Sequence, residues 1–380
     1  MQISQAVLSA RDWNETSLAG LQALAPDWVL VFADVDAFDG HLHTRLRSVF
    51  PSAVLCGCST AGEISLRGVS DGSIVVTAVK TGAGAVTAVR TRLQGMEDSE
   101  PAGTRIGKLL GAEPFAAVLL FAPGVDVNGS ALIRGVRNAL SPEVPVCGGL
   151  AGDRGTFTRT FVLSNEAEGD REVVAVGLSR AVFEVGHGSF GGWQPFGPMR
   201  RVTRAEGNVL YELDGESALA IYKRYLGTYA DELPGSGLLF PFSMVNSERA
   251  QVGLIRTILG VHEGEGALIL AGDVDEHGFM QMMHARTDAL VEGAAAAAEA
   301  ASRADASDRT CLSILVSCVG RKLVMGDRVD EEVEAVGDVL GAAGTLCGFY
   351  SNGEISPFLD TTECKLHNQT MTIATLYARP

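Results

Sequence analysis

A glycine loop that recurs in one setting constrains this chain most. Cys56-Gly57-Cys58-Ser59-Thr60-Ala61-Gly62-Glu63-Ile64-Ser65 aligns without a gap to Cys347-Gly348-Phe349-Tyr350-Ser351-Asn352-Gly353-Glu354-Ile355-Ser356, sharing Cys, Gly, Gly, Glu, Ile and Ser. A shorter third copy, Cys147-Gly148-Gly149-Leu150-Ala151-Gly152-Asp153, keeps the Cys-Gly start and the Gly-acid end. Repeats of one supersecondary unit have to be sought before any other reading of a fold. The apolar runs 28–36, 116–126 and 311–320 read as buried strands, each followed by a helix, near His41–Phe50, Ser130–Leu140 and Val329–Leu340. A short second strand then leads into each glycine loop. Strand–helix–strand–loop, three times, predicts an α/β fold: two lobes of mixed β-sheet with flanking helices, built from internally repeated units.

Further strands are predicted at 73–79, 173–178, 254–259, 267–270 and 370–377. A helix follows Asp214-Gly215, with Leu219, Tyr222 and Leu226 on one face, and another runs from about Met280 to Arg303. The stretch from His187 to Arg200 is too rich in Gly and Pro for a regular element, so the domain boundary is placed there. This divides the chain into an N-terminal extension (1–27), a first domain (28–190), a second domain (191–365) and a closing strand (366–380).

Charge excludes one broad class. With 30 Lys+Arg against 46 Asp+Glu the net charge is −16, the wrong sign for a generic nucleic-acid binder. No run approaches the ~18–20 apolar residues of a membrane span, and the N-terminus lacks the basic start of a signal peptide. Seven cysteines without a CxxC pair fit reduced thiols. The expectation is a cytoplasmic protein that binds neither membrane nor nucleic acid.

Common catalytic motifs fail on inspection. Gly57–Gly62 misses the GxSxG elbow by one residue, and Gly103-Thr104-Arg105-Ile106-Gly107-Lys108 is one residue short of a P-loop. No HExxH or CxxC supports zinc. The glycine loops are left as the candidate site, because α/β proteins bind ligands beyond the carboxyl ends of their strands. Ser59, Thr60, Ser351 and Asn352 offer hydroxyl and amide groups, Glu63 and Glu354 could capture an amine, and Arg321 could hold an anion. Cys58, Gly62, Tyr350 and Gly353 complete the candidate set. The competing reading is structural: glycines that permit φ > 0, glutamates that cap, and an ordinary salt bridge for Arg321. Cys56, Cys147 and Cys347 read as packing residues, whereas Cys58 and Cys318 are the candidates for a nucleophile. His41 and His43 read as solvated, and His284 as part of a Met-rich wall with Met280 and Met283. His187, near Phe190, Trp193 and Phe196, is a candidate axial ligand for haem, with Trp193 and Phe196 covering the porphyrin; a solvated loop histidine is the alternative.

The segments GCSTAGEI (57–64), GLAGD (149–153), ELDGESAL (212–219), SCVGR (317–321) and GFYSNGEISP (348–357) resemble the FIST proteins, over about residues 28–360. Gly192-Trp193-Gln194-Pro195-Phe196-Gly197 resembles the start of the second FIST domain. The resemblance implies a non-enzymatic sensor module of signal transduction that binds small ligands, amino acids among those proposed. Stand-alone bacterial members further imply haem-based nitric-oxide sensing, with output through a partner histidine kinase or cyclic-di-GMP enzyme. A homodimer is compatible with this reading. An amino-acid sensor without haem and an enzyme with a cysteine nucleophile are the alternatives.

Overall fold

The computed structural model describes residues 1–246, 248, 251–303, 309–358 and 363–379. The first repeat comprises β1 (Gln2–Ser9), β2 (Trp28–Asp34), α1 (Leu42–Val49), β3 (Val54–Thr60), the hairpin β4 (Glu63–Ser65) and β5 (Gly68–Ser70), and β6 (Ser73–Lys80). β2 and β3 run parallel, with Trp28 opposite Val54, and β6 lies antiparallel between β2 and β1. Gln2–Ser9, read from the sequence as an extension, pairs with β6 along its whole length.

The second repeat copies this plan with β7 (Val86–Arg92), α2 (Ser99–Leu110), β8 (Phe115–Ala122), α3 (Gly129–Ala139), β9 (Val146–Leu150), the hairpin β10 (Val162–Leu163) and β11 (Glu168–Gly169), and β12 (Glu172–Ser179). Here β8 and β9 are the parallel pair and β12 is the antiparallel neighbour. The near-P-loop at 103–108 is helical: Gly103 of α2 and Gly135 of α3 let the two helices meet backbone to backbone. A Cβ at either glycine would lie 2.1 Å from a carbonyl oxygen of the other helix.

The third repeat opens with β13 (Phe183–Phe190) and is interrupted by a separate antiparallel sheet. That insert contains β14 (Arg200–Glu206), β15 (Val209–Leu213), α4 (Ala218–Leu226), β16 (Phe242–Val245), β17 (Gln251–Arg256), β18 (Ile258–His262), β19 (Ala267–Leu270) and β20 (Phe279–His284). After α5 (Thr287–Ala301) the repeat resumes with β21 (Cys311–Cys318), α6 (Val319–Met325), α7 (Asp330–Leu340), β22 (Gly344–Ser351), the hairpin β23 (Gly353–Pro357) and β24 (Cys364–His367), and β25 (Met371–Ala378). β21 and β22 are parallel, while β25 and β13 complete the four-stranded set. The protein is thus mixed α/β, with a threefold-repeated core and an inserted sheet.

Each hairpin leaves its own repeat. β4–β5 adds to β22, β10–β11 to β3, and β23–β24 to β9, a closed cyclic exchange giving three six-stranded sheets. The repeated Cys-Gly has its physical cause here. A Cβ on Gly57, Gly148 or Gly348 would lie 1.8, 2.1 or 1.9 Å from the carbonyl oxygen of Val31, Leu120 or Leu315 on the adjacent parallel strand. The preceding cysteines Cys56 and Cys347 are fully buried and Cys147 nearly so, the packing role their sequence context suggests. Phe32, Phe121 and Phe349 bring the repeats together, with ring centroids 4.8 to 6.3 Å apart and no exposure.

Two predicted elements change type. Gly186 and Gly188 do not break β13; they let α5 lie on the strand, since a Cβ at either would be 2.1 Å from a carbonyl oxygen of Ala301 or Ala297. His187 is therefore a mid-strand residue rather than part of an irregular junction. The helix expected from Met280 begins only at Thr287, because Met280 and Met282 alternate inward on β20 with period two.

Candidate functional site

The three glycine loops do converge. Ala61 N–H donates to Tyr350 O and Tyr350 N–H to Gly62 O, both at 2.8 Å; Asn352 N–H donates to Leu150 O at 3.2 Å; Gly152 N–H donates to Ser59 O at 2.9 Å. Loops one, three and two are hooked to one another in a ring. Most of their polar side chains are consumed in building it. Glu63 is fully buried: Oε1 accepts from the Thr60 hydroxyl, and Oε2 from Ser73 N–H at 3.0 Å and Ser73 Oγ at 2.7 Å. Glu354 repeats the pattern, with Ser351 Oγ at 2.8 Å on Oε1, and Thr370 N–H at 3.1 Å and Oγ1 at 3.0 Å on Oε2. Burial pushes both carboxyls up to about 7 against these hydrogen bonds. Both carboxylates are thus occupied by the fold, which corrects the expectation that they capture an amine. Ser73 and Thr370, just ahead of or at the start of β6 and β25, were missed; a hydroxyl residue before an antiparallel strand is too common to signal alone.

Ser59 is likewise committed, donating to Gly152 O at 2.7 Å and accepting from Phe161 N–H at 2.8 Å. Arg321 corrects the anion-binding expectation. It is fully buried, bonded to Glu332 Oε2 through Nε at 3.1 Å and Nη2 at 2.7 Å, and it also donates to the carbonyls of Gly191 and Leu290. Glu332 further accepts from Tyr350 OH at 2.6 Å and Ser317 Oγ at 2.9 Å, so Tyr350 is a structural partner too. Glu332 escaped the sequence reading because it sits in an acidic helix start, where solvation is the usual outcome. Gly62 has φ +141°, as a left-handed turn demands, whereas Gly353 is not in that region and is instead crowded by Leu150 and Leu366. Burial raises the Cys58 and Cys318 thiols well above their ordinary value, the opposite of what a thiolate nucleophile needs.

Asn352 is the exception. Its Nδ2 makes only a long 3.4 Å contact to Gly124 O, and its buried Oδ1 has no partner among the described residues. It lines a cavity of about 260 Å³ between the carboxyl ends of β8 and β9, the N-terminus of α3 and the inserted sheet. Leu150, Phe157, Leu259, Ile269 and Leu366 make most of the wall apolar, with Asn128 and Asn208 as further polar groups. A more polar recess of about 340 Å³ adjoins it through Met96, Val125 and Asp126. Mostly apolar walls with a few fixed polar groups are the usual build of a small-molecule site.

The proposed haem residues are not assembled. His187 lies within β13, its Nδ1 buried without a partner among the described residues, and burial lowers its pKa, favouring the neutral ring. Trp193 packs with Ile255, Met283, Leu290 and Met325 and donates from Nε1 to Gln369 O at 2.8 Å. Phe196 belongs to the inserted sheet's core, edge-on to Phe240 and to His284. Three side chains committed to different surroundings do not form one porphyrin pocket, and haem does not fit this set.

A repeated core joined to an inserted sheet, with a cavity at the junction and its loop carboxylates satisfied, defines a ligand-binding module. The chain belongs to the FIST family: a FIST N domain matches residues 27–216 and a FIST C domain residues 218–357. FIST domains are small-ligand sensory domains of signal transduction. The chain is also similar to an uncharacterized protein of Methanocaldococcus jannaschii, 39% identical over 84 residues, which is 22% of this chain and 15% of that protein. A crystal structure of cyanuric acid hydrolase from A. caulinodans aligns over 100% of this chain and 99% of its own at 9% identity and a TM-score of 0.34, a likeness that carries no argument about activity. Among the described residues no helix is long and apolar enough to cross a membrane.

Proposed function

We propose that this protein senses a small, partly apolar metabolite, amino acids being the first class to try, held in the cavity of about 260 Å³ and read by Asn352. The observation that carries the proposal is the Asn352 side chain in the cavity wall, its Oδ1 without a partner among the described residues, since a buried amide oxygen without a donor costs about 1–3 kcal/mol that a ligand N–H would recover. The volume falls below the ~300–1,000 Å³ range of drug-sized pockets, which favours a metabolite over a macrocycle. Because the wall combines Asn352 and Leu150 of the core with Asn208 and Ile269 of the insert, an occupant would tie the two parts together. That coupling is a route to a signal passed to a separate protein. Calorimetric titration of the twenty amino acids into wild type and Ile269→Trp tests the reading. Saturable binding lost when the cavity is filled supports it; equal binding by both proteins refutes it.

The finer reading, a haem-based nitric-oxide sensor acting on a partner histidine kinase or cyclic-di-GMP enzyme, rests on the stand-alone family resemblance and not on His187, Trp193 and Phe196 as they are placed. Titration with ferrous haem separates it from the metabolite reading: a Soret band shifting with nitric oxide in wild type and absent in His187→Ala would restore it. No stoichiometric binding would remove it.

A further inference from the structure

A second cavity, of about 510 Å³, lies along α3, between that helix, the inserted sheet and β24; it shares only the Leu366 wall with the cavity of Asn352. Its charge balance is unusual. Arg256, 4% exposed, lies in its wall and spends its guanidinium on carbonyls: Nε on Asp273 O at 2.9 Å, and Nη1 on Ile255 O at 3.1 Å and Leu366 O at 3.2 Å. Among the described residues no carboxylate oxygen comes within 4 Å of it and Nη2 has no hydrogen-bond partner. The Asp273 carboxylate is taken by Arg134 at 3.2 Å, and Arg134 also pairs with Glu100. Lys365 pairs with Glu363 at 2.7 Å. Among the described residues Arg137, in the same wall, bonds only the carbonyls of Val144 and Pro142. Among the described residues two guanidiniums are therefore without a neutralising carboxylate, against one acid of the lining that makes no ion pair, Asp275, which accepts from His277 N–H at 2.9 Å.

A buried charge is costly unless an opposite charge and hydrogen bonds compensate it. The environment of Arg256 reflects this: burial pushes its pKa down to about 10, with the more distant Asp273 opposing. Beside the guanidiniums the wall is apolar, formed by Ile133, Met244, Leu254, Val274 and Phe358. We propose that this cavity binds a small amphipathic acid, its oxyanion on Arg256 and its hydrocarbon body along Val274, Leu254 and Phe358. The oxyanion is a carboxylate or a phosphate monoester, either of which a guanidinium fork accepts. The proposal is independent of the metabolite reading, because neither Arg256 nor Val274 lines the cavity of Asn352.

The test uses the full chain, with octanoate, octyl phosphate and octylamine titrated calorimetrically into wild type, Arg256→Met and Val274→Trp. One of the two acids should saturate wild type at one site, and which one binds tighter identifies the headgroup. Affinity should fall at least tenfold in Arg256→Met and in Val274→Trp, and octylamine, with the same body and opposite charge, should not bind. If Arg256→Met does not fold, Val274→Trp, which leaves the guanidinium in place, decides. Saturation by octylamine, no saturation by either acid, or affinities within twofold across the folded variants would overturn the proposal.

Discussion

The repeated Cys-Gly predicts a graded set of stabilities. Alanine at Gly57 would put a Cβ 1.8 Å from Val31 O at φ +152°, and at Gly148 a Cβ 2.1 Å from Leu120 O at φ +132°. Backbone carbonyls cannot rotate away as a side chain can, so each parallel strand pair has to separate locally. Left-handed backbone costs about 1–2 kcal/mol and overpacking about 1–3 kcal/mol, so Gly57→Ala and Gly148→Ala should each lose roughly 2–5 kcal/mol. Gly348→Ala meets Leu315 O at 1.9 Å without a left-handed φ, and should lose only the overpacking share, about 1–3 kcal/mol. Gly72→Ala is the control: φ +68° with nothing within 4 Å leaves only the conformational part, about 1–2 kcal/mol. Urea denaturation followed by circular dichroism measures all four, with the m-value checking that the transition keeps its character. If Gly57→Ala proved no more destabilising than Gly72→Ala, the argument that close strand approach fixes these glycines would fail.

Two further outcomes follow from the buried charges. Arg321→Met should destabilise by about 3–5 kcal/mol because it strands the Glu332 carboxylate, and Arg321→Met with Glu332→Met should recover a large part of that loss in the same denaturation assay; a double variant as weak as the single would contradict the ion-pair account. Glu63 and Glu354 have native pKa values raised to about 7 from 4.5, so the native state holds more protons than the unfolded chain between those pH values. Their contribution is full below about pH 4.5 and is lost as pH rises to about 7. The stability difference between wild type and Glu63→Gln/Glu354→Gln should therefore shift against wild type from pH 5 to pH 8, and a pH-independent difference would count against the assignment.

The repeats were legible because close packing leaves a residue-level trace: a Cys that fits a buried strand, a Gly that alone fits beside a carbonyl, and apolar runs where both sheet faces are covered. What the sequence could not reveal was where the polar groups of those repeats point. Glu63 and Glu354 look like ligand-binding acids until Ser73 and Thr370 are found opposite them, and those partners arrive through tertiary folding from 10 and 16 residues away. Gly186 and Gly188 misled in the other direction, since a glycine that admits a helix onto a strand is written like one that ends the strand. Asn352 was among the candidate residues, but its distinction, an oxygen left unpaired, depends on every neighbour's choice of partner. Arg256 carries no signal in the sequence, because no local pattern marks a guanidinium deprived of its carboxylate.

The exchange of hairpins around the ring bears on how such a chain is made. β9 cannot acquire its neighbour β23 until residues 353–357 have been synthesised, and β13 waits for residues 371–378. On the ribosome the segment before residue 353 therefore carries unpaired strand edges, the surfaces on which chains aggregate. Pairings of such long sequence separation also make folding slow. A fragment cut at the boundary between the two matched family regions would inherit these open edges permanently. The two halves are better regarded as one folding unit than as modules that could be moved separately into other proteins.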